Sequence, residues 1–303
     1  MHTIEDILRN KRGNTEIIVG LDGQWSDPPI KDHKDVVLLH TSESIGQRAM
    51  TNQCAKLSRA KYIAKCDAHC AFDEGFDVKL MAKMQDNWTM VPTMRNLHIF
   101  DWKCRACGVR LYQGRKPEKC ACGATDWKRS MVWRGKENPQ SNSYCFDSEP
   151  HFQYFKEYTR TEAYKKDLPT GLTETMSLQG SFFMATREKY WDLELCDEAF
   201  GSWGSQGIEV ACKTWLSGGA CIVNHDTWYA HLFRTQGGDF GFPYPQPGNA
   251  VEYAKTYARD LFFNNKWPKA KYKLSWILEK FWPVKGWSDE DLAKLKETEN
   301  ATN

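Results

Sequence analysis

Tyr62-Ile63-Ala64-Lys65-Cys66-Asp67-Ala68-His69-Cys70 decides how this chain is read. Tyr62 to Cys66 predicts a short buried strand, and Asp67 and His69 follow at its C-terminal end. Two residues apart in an extended segment, both side chains leave on one face. A carboxylate and an imidazole aimed at one point make half of a site for a divalent ion such as Mn²⁺. In open α/β sheets, ligands gather just beyond the C-terminal ends of strands. An Asp-x-His pair also occurs among ordinary surface and capping residues, so its weight depends on its surroundings.

Upstream, Ile4, Ile7 and Leu8 have helical spacing, with Thr3 as N-cap and Lys11-Arg12-Gly13-Asn14 as the stop. Glu16 to Leu21 predicts a buried strand closed by Asp22-Gly23, and Val36 to Leu39 another. Ser44-Ile45-Gly46-Gln47 has the form of a capping box before a helix through Ala49 and Leu57. Downstream, Phe76, Leu80 and Met84 mark a helix, and Trp88 to Pro92 a strand. This order argues for an α/β fold with a mixed, mostly parallel sheet. Past a polar loop from Glu137 to Ser143, Met176 to Ala185 is a loop running into a strand, Ile208 to Leu216 a helix, and Cys221 to Val223 a strand. The Gly/Pro/aromatic stretch 235–248 has the composition of a mobile lid. Residues 250–303 are expected to be a helical extension with its last dozen residues loose.

The 303 residues are 41% hydrophobic and carry a net charge of +2, so bulk electrostatics does not make the whole chain a polyanion binder. The polar start Met1-His2-Thr3-Ile4-Glu5-Asp6 leads into no apolar signal region, and no run is long enough to span a bilayer. With 11 Cys, this points to a cytoplasmic, reducing setting and to metal or free thiols.

Residues 101–136 differ from their surroundings. They hold ten Lys or Arg against three acids, a net of +7, so the remainder of the chain carries −5. The same segment holds Cys104-x-x-Cys107 and Cys120-x-Cys122, twelve residues apart, a zinc-ribbon-like pattern for one structural Zn²⁺. A staple for an insertion is its minimal duty, and contact with a polyanion such as nucleic acid the functional one. The domain expectation is therefore 1–100 with 137–249 as the catalytic unit, 101–136 as a protruding zinc-binding insertion, and 250–303 as the extension.

The order of these blocks resembles the GT-A glycosyltransferases, family 2 and the polypeptide N-acetylgalactosaminyltransferases in particular, over roughly residues 3–100 and 175–235. Glu16-Ile17-Ile18-Val19-Gly20-Leu21-Asp22-Gly23 resembles that family's second strand, whose closing Asp holds the nucleotide. Gly46 to Asn52, with Arg48, resembles the helix leading to the metal motif, and Asp67-Ala68-His69 is similar to the motif itself. Gly180-Ser181-Phe182 resembles the acceptor-side Gly strand, Trp203-Gly204-Ser205-Gln206 the Trp-Gly-Gly-Glu stretch, and His231-x-x-Arg234 the segment giving the third metal ligand. The resemblance implies Mn²⁺ or Mg²⁺ held by Asp67, His69 and His231. It places Asp22, Arg48, Asp67, Gly180, Ser181, Trp203, Gln206 and Arg234 around a nucleotide-sugar donor.

Two departures accompany it. The family's first strand has no counterpart, and Gln206, which cannot act as a base, stands where a carboxylate is expected. Glu209, Asp197 and Glu198 remain as candidate catalytic residues, with retaining or inverting chemistry open. The acceptor is open between a saccharide, a protein and a modified DNA base of the kind some viral enzymes glycosylate. His225, between Asn224 and Asp226 at an expected turn, is read as structural. A metallophosphoesterase also uses Asp-x-His, but its Gly-Asp-x-x-Asp is missing between Asp67 and Asn224-His225. A non-catalytic zinc-ribbon adaptor accounts for 101–136 and nothing else.

Overall fold

The computed structural model describes residues 1–233 and 248–301. In chain order they form α1 (His2–Asn10), β1 (Ile17–Asp22), β2 (Val36–Thr41), α2 (Gln47–Leu57), β3 (Tyr62–Cys66), β4 (Cys70–Phe72), α3 (Phe76–Lys83), β5 (Trp88–Cys104), β6 (Arg110–Tyr112) and β7 (Trp127–Ser141). There follow β8 (Tyr144–Phe146), β9 (Phe152–Tyr154), α4 (Glu162–Asp167), β10 (Leu172–Glu174), β11 (Phe182–Thr186), α5 (Arg187–Asp192), α6 (Gln206–Leu216), β12 (Ala220–His231), α7 (Ala250–Ala258), α8 (Leu274–Phe281) and α9 (Asp289–Ala301). Arg234 and the stretch read as a lid lie outside the described residues, apart from Gly248.

The main sheet is mixed, in the order β10-β12-β5-β11-β3, with β4 on β12 and β6 and β7 on β5. β5 and β12 run parallel, from Trp88 opposite Ala220 to Asn96 opposite His231. β3 pairs antiparallel with β11, Cys66 opposite Phe182. β1 and β2 form their own parallel pair, without a ladder to the main sheet among the described residues. The core lies between sheet and helices, with Met90, Phe183, Val210, Cys212 and Val223 all at 0% exposure. α6 is buried along its whole length and β12 at most of its positions, so both elements lie inside.

α1 serves the metal-motif loop directly. Cys70 N–H donates to Thr3 Oγ1 at 3.0 Å, Phe72 N–H to Asp6 Oδ1 at 2.7 Å, and Asn10 Nδ2 to Phe72 O at 3.1 Å. Polar side chains of the helix thus satisfy backbone groups of β4 that would otherwise be buried without partners. Thr3 is inside the helix rather than its N-cap, which is Met1.

Several local expectations give way to tertiary contacts. Ser44 does not cap α2: its hydroxyl donates to Asp22 Oδ2 at 2.8 Å, and Gly46 is the N-cap. The expected polar loop 137–143 is strand as far as Ser141, because β7 pairs with the long β5. β5 crosses the expected boundary at 100/101 without interruption, so the segment 101–136 grows out of the main sheet. Of the last dozen residues, expected to be loose, the described ones (292–301) are helical. Glu299 is 1% exposed, and its carboxylate accepts Ser275 N–H at 2.9 Å and Ser275 Oγ–H at 2.5 Å.

His225 sits at the irregularity of β12 between Asn224 and Trp228, its Nε2 2.8 Å from Thr173 Oγ1. Burial pushes its pKa down to about 4, with Lys83 adding to this and Asp226 opposing. A base that resists protonation in the folded state but not in the unfolded one costs stability as pH falls from about 6.5 to about 4. We expect up to ~2 kcal/mol of acid-side destabilisation in that window. Urea titrations at pH 7, 5.5 and 4.5 should show a steeper loss for the native chain than for His225→Gln; parallel losses count against this account.

Candidate metal and donor site

Asp67 leaves the end of β3, its N–H bonded to Ser181 O at 2.9 Å. His69 precedes β4, and His231 closes β12. The ladder of β4 on β12 puts His231 opposite Cys70, and Leu232 N–H donates to His69 O at 3.2 Å. That register brings together residues 164 positions apart. Asp67 Oδ2 lies 3.3 Å from His231 Nε2 and 3.9 Å from His69 Nε2, and the imidazoles are 4.7 Å apart between centroids. One ligand atom from each of the three residues falls within 4.8 Å of the others.

The electrostatics suit a cation. Burial raises the Asp67 carboxyl, but the Lys65 ammonium, His231 and His69 outweigh it and hold the group well below the ordinary carboxylate range. His231 is 5% exposed, and neither ring nitrogen makes a hydrogen bond among the described residues. A buried imidazole with both nitrogens unsatisfied, beside an ionised carboxylate, is costly unless something else fills the space. One carboxylate and two imidazoles are a donor set that fits Mn²⁺.

Lys65 was not singled out from the sequence, though a lysine inside an apolar strand is a visible signal. Its Nζ bridges Asp67 Oδ1 at 2.5 Å and Gly180 O at 2.8 Å, tying the end of β3 to the loop before β11. That loop presses on the start of α6: a Cβ on Gly207 would lie 1.9 Å from Leu178 O, and one on Gly180 would lie 3.0 Å from Gln206 Cβ. Only glycine allows this approach. Ser181 is turned inward, its Oγ 2.9 Å from Tyr229 Oη. Gln206 is also buried, its Nε2 donating to Cys196 Sγ at 3.1 Å.

Asp22 ends β1, where both carboxylate oxygens are in use. Oδ1 accepts Ile45 N–H at 2.6 Å, and Oδ2 accepts Gly46 N–H at 3.0 Å along with Ser44. In this structure it shapes the turn into α2. Trp203 lies half-buried in the loop that leads into α6.

Arg48 and Glu209 do not face the cleft. They are 1% and 0% exposed and paired at 3.0 Å. Arg48 also donates to Gly201 O at 3.2 Å and Gly204 O at 2.5 Å, clamping the loop that carries Trp203. Glu209 takes Lys213 Nζ at 3.3 Å and Asp197 N–H at 2.7 Å. Burial raises its carboxyl while Arg48 and Lys213 oppose. The carboxylate expected as a base is thus enclosed in an ion network, and the arginine expected at the donor is fastened to backbone. Asp197 joins the same network through Lys213 at 3.2 Å and caps the turn at Ala199, while Glu198 accepts Asn52 Nδ2 at 2.9 Å.

Glu209→Ala would strand two buried cations, so it should cost ~3–5 kcal/mol of stability. Chemical denaturation measures this. A variant as stable as the native chain would return Glu209 to candidacy as a base.

Residues 2–101 match the model of the family described as Glycosyl transferase family 2. The chain is 19% identical over 245 residues to a Probable N-acetylgalactosaminyltransferase 6 of Caenorhabditis elegans, covering 80% of this chain and 34% of that protein. It is 25% identical over 217 residues to the N-acetylgalactosaminyltransferase 7 of Homo sapiens, covering 71% of this chain and 28% of the relative. The chain therefore spans about a third or less of the length of these curated relatives. Among solved structures, it is similar to the crystal structure of GalNAc-T7 with UDP, GalNAc and Mn²⁺, with a TM-score of 0.57 and 13% identity, over 98% of this chain and 51% of that one. Residues 2–101 thus match the glycosyl transferase family 2 model, and the chain as a whole has the GT-A fold of its structural neighbour.

Proposed function

We propose that this chain is a metal-dependent glycosyltransferase that moves a sugar from a UDP-sugar to a hydroxyl acceptor, using Mn²⁺ held by Asp67, His69 and His231. The observation that carries the reading is the convergence of these three side chains at the C-terminal end of β3. The relatives, named as N-acetylgalactosaminyltransferases, and a neighbour solved with UDP and Mn²⁺ support the same donor class. None of those names mentions DNA, so a modified base as acceptor draws no support from them.

A divalent ion bound there would neutralise the negative charge that develops on the departing diphosphate. The chain's own residues do the positioning. Lys65 fixes Asp67 to Gly180 and keeps the carboxylate ionised. The Arg48–Glu209–Lys213 network holds the loop 201–204, which bears Trp203, against α6. We assign Arg48 and Glu209 this positioning role; of the remaining residues that the resemblance places at the donor, Asp22, Gly180, Trp203 and Arg234 keep that expectation, while Ser181 and Gln206 are turned into the interior. The network includes Asp197, and neither it nor Glu198 gains support as a base from its bonds. Among the described residues no helix is long and apolar enough to cross a membrane; the cytoplasmic setting remains a proposal from the cysteine content of the sequence.

Asp67→Ala and His69→Ala should each lower Mn²⁺-dependent UDP-sugar hydrolysis by at least about a hundredfold, since loss of a ligand removes charge stabilisation worth several kcal/mol. Circular dichroism should show both variants folded. Hydrolysis near the native rate in either folded variant, with Mn²⁺ present, would sink the assignment.

A further inference from the structure

The proposed transfer assigns no role to residues 101–136, and their geometry carries an inference independent of it. β5 and β7 run out together to Cys104 opposite Trp127. There the chain makes two tight turns. In the first, Gly108 N–H returns to Cys104 O at 3.0 Å and Cys104 N–H donates to Val109 O at 2.9 Å. In the second, Gly123 N–H returns to Cys120 O and Cys120 N–H donates to Ala124 O, both at 2.8 Å. A glycine with positive φ follows the second cysteine of each turn, Gly108 at 77° and Gly123 at 90°. Backbone N–H groups of Cys107 and Ala106 point at the Cys104 sulfur, and that of Cys122 at the Cys120 sulfur.

The four sulfurs lie within 4.8 Å of one another, with Cys104 Sγ 3.7 Å from Cys122 Sγ and Cys107 Sγ 3.5 Å from Cys120 Sγ. A disulfide requires about 2.05 Å. A tetrahedron of sulfurs around Zn²⁺ at about 2.3 Å has edges of about 3.8 Å. The observed separations match the tetrahedron. The hairpin also needs such a tie. Its own core is Phe100, Trp102, Cys104, Cys120 and Trp127, separate from the main core and too small to hold the tip by burial alone. We propose that Cys104, Cys107, Cys120 and Cys122 bind one structural Zn²⁺ as thiolates and fix the end of this hairpin.

The chain purified under reducing conditions should contain one zinc by elemental analysis. The Co²⁺-exchanged form should show the visible absorption of tetrahedral thiolate cobalt, lost in Cys104→Ser. Cys54→Ser, a cysteine outside the cluster, should keep both signals. A metal-free folded chain, or intact mass showing two disulfides in place of metal, overturns the site. Donor hydrolysis plays no part in these measurements, so their failure leaves the transferase reading standing.

A second observation on the same hairpin stands by itself. Lys103 on β5 has Arg110 of β6 opposite it on one side and Lys128 of β7 on the other. Like charges placed directly across strands destabilise a sheet. Asp101 engages Arg110 at 3.1 Å and His98 at 2.8 Å, while neither Lys103 nor Lys128 has an acidic partner among the described residues. Four thiolates around Zn²⁺ add −2 to the segment's formal +7, so a loaded hairpin keeps +5. Beside this row Tyr112 is 48% exposed, with Lys136 Nζ 4.3 Å from its ring centroid. Cations interleaved with an exposed aromatic suit a phosphate backbone with accessible bases. We infer that this face binds single-stranded nucleic acid.

Fluorescence anisotropy with a labelled single-stranded oligonucleotide tests it, without donor or acceptor present. Lys103→Glu with Lys128→Glu should weaken binding at least about tenfold and flatten its salt dependence, since phosphate contacts release counterions. Lys166→Glu on α4 should change neither, and zinc content reports that the double variant is folded. Unchanged oligonucleotide affinity in the double variant overturns the inference, as does a native chain that binds only an acidic polypeptide.

Discussion

His231 lies opposite Cys70 because β12 pairs antiparallel with β4. This register is the constraint on which the candidate site depends. Side chains alternate along a strand, so a slip of one residue would send His231 to the other face. β4 is only three residues long and is held in place from outside its ladder, by Thr3, Asp6 and Asn10 of α1. A short strand with one borrowed partner can thus fix a ligand that the chain delivers 164 residues after Asp67.

The same arrangement explains why charge is buried so densely here. Lys65 is 6% exposed, Lys213 0% and Arg48 1%, and each is fastened to carboxylate and backbone oxygens. Buried ion networks of this kind contribute little net stability, because desolvation offsets the attraction. What they provide is geometry. Lys65 fixes the carboxylate of the candidate metal site, and Arg48 with Glu209 fixes the loop 201–204. Each cation gives directional bonds to backbone carbonyls that an apolar side chain would leave unsatisfied.

The hairpin built on β5 and β7 follows a different rule. It leaves the main core and has a small aromatic core of its own, in which Arg129 lies over the rings of Phe100 and Trp102 at 4.8 and 5.2 Å. Distance from the main core is what leaves its tip dependent on the cysteine cluster and its row of cations open to solvent.

Local chemistry made much of this legible in the sequence. Tyr62–Cys66 is the strand that its residues suggested, α3 and α6 follow their apolar spacing, and the cysteine spacing anticipated a convergence of four sulfurs. The metal-ligand trio needed the family resemblance for His231, since no local signal links it to Asp67. Other features depend on contacts between distant segments. Ser44 turned from capping to Asp22, Glu299 became buried against Ser275, and β7 continued through a polar stretch because β5 offered it a ladder. The tasks of Glu209 and Arg48 were likewise decided by packing. An acid at a helix start and an arginine in α2 look available in sequence, and only the folded chain shows them facing each other across 161 residues in the buried interior. Sequence determined which residues could carry charge or bind metal, because that is set by side-chain chemistry; the tertiary structure decided which of them met, because burial and register are properties of the assembled sheet.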